Sequence, residues 1–296
     1  MTSELATPRR DGLPAQVGIV GGTSQVGRVV IDQLLRSGVT VTAFSRQQGL
    51  SARPGLRWLL PEQRAEAIGI SHWLSLAPAY ALPDYLSAFK QIGAKRMVML
   101  SSTTLLTKQA SPRPADRALA QSLQEAEDAL KRWSAETGAD YTVLRPTLVY
   151  GYGRDKNVAE IARFIRRFGF FPLLGRADGL RQPVHVEDVA AAAITALVSP
   201  NASGQTYTIS GGEALPYREM VERIFSALNR KPLLLTIPSV AFRSAIPVMR
   251  IVPRYRGWTA EMAERMNNDQ SFSHAEAARD LGVTFRPFRP TAEDVR

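Results

Sequence analysis

The stretch VGIVGGTSQVGRVV, residues 17 to 30, limits the folds open to this chain more than any other. An apolar run ends at Val20, and glycines stand at 21, 22 and 27. Val26, Val30, Ile31, Leu34 and Leu35 then recur along one helical face. Gly38 stands where that helix needs a left-handed residue to stop, and a second apolar run follows from Val39 to Phe44. Strand, glycine turn, helix and strand make a βαβ unit, which belongs in a parallel sheet. In such a turn the first glycine allows a tight reversal, the middle one lets a pyrophosphate reach the backbone, and the last lets helix pack on strand. Gly21 and Gly27 fill the outer places, and Ser24 stands in the middle with a small side chain whose hydroxyl can donate to a phosphate oxygen. The turn therefore predicts a dinucleotide site at Gly21, Thr23, Ser24, Gln25, Val26 and Gly27. The alternative is a glycine turn that serves packing alone.

The end of the second strand selects the dinucleotide, because a carboxylate there holds a ribose 2′-hydroxyl and an arginine accommodates a 2′-phosphate. The segment reads AFSRQQ, with Ser45 able to hydrogen-bond, Arg46 offering a planar fork of donors, and no carboxylate beside them. NADP is predicted over NAD. The competing reading is an exposed loop arginine.

Strands are predicted at Val17 to Val20, Val39 to Phe44, Leu56 to Leu60, Ile70 to Leu76, Arg96 to Ser101, Tyr141 to Arg145 and Gln205 to Ser210. Arg117 to Thr137 reads as a long helix with Ala118, Leu119, Leu123, Ala126 and Leu130 on one side. This alternation predicts an α/β fold, a doubly wound parallel sheet with helices on both faces. After Ser210 it stops. The helices PYREMVERIFSAL and HAEAARDLG flank a proline-punctuated basic stretch, so a small, mainly helical substrate domain is placed at 213–296. The sheet domain is placed at 16–212, with a loop at 148–182 contributing to a substrate cleft, and residues 1–15 are read as a flexible tail.

The chain of 296 residues has no cysteine, which removes disulfides, thiolate metal sites and cysteine nucleophiles and suits a cytoplasmic location. No apolar run is long enough to span a bilayer, and the first 15 residues lack the apolar centre of a secretory signal. The net charge of +10 favours anionic partners. From Arg230 to Trp258 there are six basic residues and no acidic one, interleaved with apolar side chains. That stretch reads as a solvated basic face, or as a surface for a phosphate-bearing substrate or an anionic membrane. Nucleic acid is not expected, since no recognisable nucleic-acid module accompanies the charge.

Five ordered motifs carry a resemblance: the glycine turn, MLSST at 99 to 103, LRPTLVYGYGRDKNV at 144 to 158, RQPVHVEDVA at 181 to 190 and AARDLGVTFRPF near the end. Together they resemble the extended short-chain dehydrogenase/reductase family, in its nucleotide-sugar epimerase/dehydratase branch. The resemblance implies a Rossmann-type domain with the cofactor across the C-terminal edge of the sheet. Leu76, Ala77 and Pro78 would then lie near a ribose, Ser101 nearby, and Pro146 and Thr147 near the nicotinamide. It also implies a Ser or Thr after strand five acting with a Tyr and a Lys four residues apart on the next helix, the lysine lowering the pKa of the tyrosine that moves the proton. Thr103, with Ser102 beside it, fits the hydroxyl. Counting back from Glu127, which resembles the family glutamate, the lysine and tyrosine places fall at Leu123 and Leu119, and no tyrosine occurs between Tyr85 and Tyr141.

One Tyr-x-x-x-Lys does occur, Tyr152 to Lys156, but in a loop with Gly153 inside it, where that spacing does not align side chains. It is a candidate substitute pair, otherwise a substrate-cleft loop. His72, His185 and His274 read as structural, with no metal site, and Glu187 and Asp188 suit a helix N-terminus. Arg181 resembles the family arginine that meets the substrate diphosphate, and Arg154 lies in the neighbouring loop; either is otherwise an exposed arginine.

Two classes of function follow. One is an NAD(P)-dependent oxidoreductase or epimerase, with a homodimer as a candidate assembly, acting on a nucleotide-linked or related sugar with unconventional proton-transfer groups. The other is a cofactor-binding sensor or accessory protein without dehydrogenase chemistry.

Overall fold

The structure, a computed structural model, describes residues 12–51, 53–238 and 266–296. Its central sheet holds β1 (Gln16–Val20), β2 (Thr40–Phe44), β3 (Leu56–Leu59), β4 (His72–Ser75), β5 (Arg96–Leu100), β6 (Asp140–Pro146) and β7 (Gln205–Ile209). The spatial order is β7-β6-β5-β4-β1-β2-β3, and every neighbouring pair is parallel. These are the seven predicted strands, and the direction of winding reverses between β1 and β4, the place where doubly wound sheets open a crevice.

Helices α1 (Gln25–Arg36), α2 (Pro83–Gln91), α3 (Thr104–Lys108), α4 (Pro114–Thr137), α5 (Val158–Phe168), α6 (Val186–Val198), α7 (Tyr217–Ala227) and α8 (Ala275–Leu281) complete the described elements. α1 packs on α6, whose Ala190, Ala192, Ala193 and Ala196 are buried and let the neighbouring backbones come close. α2 packs on α4 over a core that includes Phe44, Trp73, Phe89, Leu123, Leu130 and Trp133. Trp73 stacks on Phe44 with ring centroids 5.7 Å apart. Its ring lies where a Cβ on Gly18 would stand, at 2.3 Å, so β1 needs glycine there. Gly38 ends the turn after α1 at φ +71°, as the sequence predicts. α4 begins at Pro114, three residues before the predicted start, and Ala118 is exposed instead of facing the core.

The chain divides into two compact units. The first comprises the described residues up to Thr147, with Val186–Ile209 and Ser273–Thr284; the second comprises Leu148–His185, the described residues from Ser210 to Phe272, and Phe285–Arg296. The sequence placed one boundary after residue 212, whereas the chain passes between units several times. Thus α8 joins the sheet unit, where the Tyr207 hydroxyl donates to Asp280 at 3.0 Å. Residues 12–15 are tied down as well: Leu13 is buried, and Ala15 O accepts from Thr40 N at 3.0 Å.

In the second unit, residues expected as a loop form α5, whose Val158, Ile161, Ala162 and Ile165 make a buried stripe against α7. Phe171–Leu174 pairs in parallel with Leu234–Ile237, and Leu180–Arg181 pairs antiparallel with Leu215–Pro216. Most of the basic stretch, including Arg243, Arg250, Arg254 and Arg256, lies outside the described residues. Among the described residues no helix is long and apolar enough to cross a membrane.

Candidate cofactor site

The turn after β1 is shaped by what it excludes. Gly21 has φ +82°, and a Cβ there would stand 2.3 Å from Ala77 N, so the turn lies directly on the segment that follows β4. Leu76 N donates to Val20 O at 2.8 Å and fixes that contact. A Cβ on Gly27 would meet Gly21 O at 2.3 Å, which draws the first turn of α1 against the loop. Ser24 caps α1: its Oγ accepts from Gly27 N at 2.9 Å, and its own N–H donates to Gly21 O at 3.0 Å. As an acceptor in that bond, the hydroxyl still has its hydrogen to offer outward. No acidic residue stands in the first turn of α1, so no side chain there offsets the positive end of the helix dipole. A donor-bearing helix end with two glycines that leave no room for side chains fits a pyrophosphate.

The other predicted residues follow the carboxyl ends of β2, β4, β5 and β6, on the same edge of the sheet. Ser45 is buried, donates its N–H to Leu59 O at 3.0 Å, and accepts from Gln47 N at its Oγ. Arg46 beside it is exposed. Tyr85, in α2, stands close by: its ring lies 5.7 Å from that of Phe44, and the Arg64 guanidinium sits 4.6 Å over it. Burial raises the Tyr85 pKa, and the charges of Arg64 and Arg46 offset part of the rise. Sequence reasoning missed Arg64 and Tyr85, because nothing in a local pattern ties residues after β3 and β4 to the end of β2.

Ser101, Ser102 and Thr103 are engaged within the protein. Ser101 Oγ donates to Glu127 Oε1 at 2.6 Å, Ser102 Oγ to Thr104 Oγ1 at 2.9 Å, and Thr103 Oγ1 to Pro146 O at 3.2 Å. Pro146 O also accepts from Thr103 N, and Thr147 N donates to Ile209 O. Glu127 is fully buried, and Arg145 binds it bidentately, Nε to Oε1 at 3.0 Å and the terminal nitrogen to Oε2 at 2.5 Å. This pair fixes the register of α4. Leu123 is buried in the core and Leu119 packs against it.

Tyr152 and Lys156 lie in the second unit. Tyr152 has a left-handed backbone at φ +57°, and Gly153 follows at φ +64°, so the segment is a turn and not a helix. Lys156 and Arg154 are exposed, while buried Asp155 accepts from Asn157 N and Ala159 N and caps α5. Asp294 holds this turn by accepting from Tyr152 N at 3.3 Å, and His185 Nε2 lies 3.1 Å from the same carboxylate oxygen. Burial would raise the Asp294 pKa, but the bonds from His185 and Thr291 hold it well below the usual carboxylate range. Arg181 is buried, donates to Leu180 O at 2.7 Å and Asn268 O at 2.8 Å, and lies 5.5 Å over the Tyr217 ring. Burial pushes the Tyr217 phenol up to about 12, with Arg181 opposing. Among the described residues no cluster of three or more His, Asp or Glu could hold a metal ion.

Residues 84–210 match the sequence profile of the NAD dependent epimerase/dehydratase family. The chain is 32% identical over 98 residues to the mitochondrial NADH dehydrogenase (ubiquinone) 1 alpha subcomplex subunit 9 of Arabidopsis thaliana, covering 33% of this chain and 24% of that protein. It is 26% identical over 117 residues to the UDP-glucose 4-epimerase of Vibrio cholerae, covering 40% of this chain and 36% of that enzyme. The matches thus span well under two thirds of these relatives. The structure of MoeE5 in complex with UDP-glucose and NAD superposes with a TM-score of 0.71 at 20% identity, over 95% of this chain and 97% of that one, which shows a shared fold.

Proposed function

We propose that the chain, whose residues 84–210 match the NAD dependent epimerase/dehydratase family and whose fold is shared with MoeE5, is an NADP(H)-binding oxidoreductase or epimerase acting on a nucleotide-linked or related sugar. The observation that carries the reading is the Ser24-capped N-terminus of α1, closed on Gly21 and Gly27 with no carboxylate beside it. Ser24 and the first turn of α1 would hold the pyrophosphate, Arg46 the 2′-phosphate, Leu76 to Pro78 a ribose, and Pro146 and Thr147 the nicotinamide side. A bound nicotinamide supplies hydride transfer; the chain's own part is to orient it and to move a proton. Exposed Arg154 is the better candidate for the substrate's phosphates, because Arg181 already spends donors on two backbone carbonyls. A cytoplasmic location and a homodimeric state belong to this reading, and a chain without cysteine suits a reducing compartment.

A second reading is a cofactor-holding accessory protein. Leu119 and Leu123 pack in α4 where the resemblance puts the tyrosine and lysine, and one relative is named as a subunit of NADH dehydrogenase. Calorimetry with NADPH, paired with a hydride-transfer assay over a panel of nucleotide sugars, separates the two. Binding with turnover supports the enzyme, binding without turnover supports the accessory protein, and no binding removes both.

A further inference from the structure

Three elements that follow β2, β3 and β4 converge beside the end of β2. Arg46 follows β2, Arg64 lies in the kinked 3-10 segment Pro61–Ala67 after β3, and Tyr85 lies in α2 after β4. The ends of β2 and β3 are joined by the bond from Ser45 N to Leu59 O, and Tyr85 rests on Phe44, two residues before Arg46. The Arg64 side chain is held from three sides. Its Nε donates to Pro61 O at 2.5 Å, a terminal nitrogen donates to Asp84 O, and the guanidinium plane lies over the Tyr85 ring. Among the described residues neither Arg64 nor Arg46 has a carboxylate within ion-pair distance, although Glu62 and Asp84 act on Tyr85 electrostatically.

A half-buried guanidinium without an ion-pair partner, fixed by backbone carbonyls and an aromatic face, keeps its charge and spends only some of its five donors. A fixed arginine loses little freedom on meeting a phosphate, so its contact is worth more than that of a mobile one. A packing role alone would be served as well by an uncharged side chain over Tyr85.

We propose that Arg64 is a second specificity residue for the cofactor, a preorganised cation that meets the adenosine 2′-phosphate together with Arg46. This rests on the NADP reading above. The test is calorimetry on wild type, Arg64→Gln, Arg64→Lys and Arg46→Ala with NADP+, NAD+, adenosine 2′,5′-bisphosphate and AMP, with the fold of each variant followed by circular dichroism. In Arg64→Gln, affinity for NADP+ and the bisphosphate should fall about tenfold or more, while NAD+ and AMP change by less than about twofold. Arg64→Lys keeps the charge but loses the fork and should fall between, and it carries the test alone if the glutamine variant does not fold. Equal losses for NADP+ and NAD+, or NADP+ affinity unchanged while Arg46→Ala weakens it, overturn the role of Arg64 and leave the NADP reading standing. Wild type binding NADP+ no better than NAD+ overturns both.

Discussion

Ser24 can carry two tasks at once, since its oxygen caps Gly27 N–H and an accepting hydroxyl keeps its hydrogen to donate to a phosphate. Replacement by glycine costs an N-cap only a few tenths of a kcal/mol, so Ser24→Gly should keep cofactor affinity within a few fold and stability almost unchanged. Ser24→Leu removes the cap, at about 1 kcal/mol, and fills the approach to the backbone, so it should fold and yet bind no cofactor. Calorimetry on the two variants checks this, and unchanged binding in the leucine variant would place the cofactor elsewhere. Arg46 is the complementary case. Being exposed, it contributes little to the core, so Arg46→Ala should leave urea unfolding nearly unchanged while costing roughly 1.5 to 3 kcal/mol of NADP+ affinity and little for NAD+.

Elements are held to one another by a few buried charges, and α4 shows it most clearly. Glu127 joins that helix to the ends of β5 and β6 through Ser101 and Arg145, and removing one member of such a pair leaves the other unpaired. Glu127→Ala should therefore destabilise by about 3–5 kcal/mol, nearer the lower figure because Arg145 keeps some access to water, as urea denaturation would measure. Glu127 could be picked out from the sequence as an anchor, but its partner could not, because Arg145 lies on a strand 18 residues away. The strands were legible for the opposite reason: each is a short apolar run bounded by glycine or polar residues, a signal contained within itself. α5 was missed, because the glycines and charges before it read as loop and hid the stripe Val158, Ile161, Ala162 and Ile165. The latch of Asp294 on the Tyr152 turn joins residues 142 apart and leaves no local trace. Its carboxyl is more acidic folded than unfolded, so its stabilising effect is complete above the ordinary aspartate pKa near 4 and is lost as pH falls toward the depressed folded value. Asp294→Asn should flatten the acid limb of a stability-against-pH curve measured by thermal melting; an identical limb in both proteins would remove the latch from the account.

At the scale of the whole molecule, a net charge of +10 and a glycine turn opening α1 at the edge of the sheet both favour phosphate-bearing ligands, but neither supplies a proton. NADPH at 100 times its dissociation constant should stabilise the folded chain by about 2.7 kcal/mol, visible as a raised melting temperature whether or not any chemistry follows. Turnover is a separate matter. A positioned acid or base typically contributes about two to four decades of rate, and α4 presents Leu119 and Leu123, which can do neither task. Thr103 belongs to the sheet unit, with its hydroxyl on Pro146 O, while Tyr152 and Lys156 belong to the other unit and sit in a turn whose backbone is left-handed at Tyr152. Tyrosine-driven reduction should accordingly be slow or absent in a hydride-transfer assay with NADPH. Where turnover is measured, Thr103→Ala, Tyr152→Phe and Lys156→Ala combined should lower it by at least a decade without shifting NADPH affinity, since none of the three lies in the glycine turn. Turnover that survives the triple substitution at the wild-type rate would mean that the proton moves through groups outside this set.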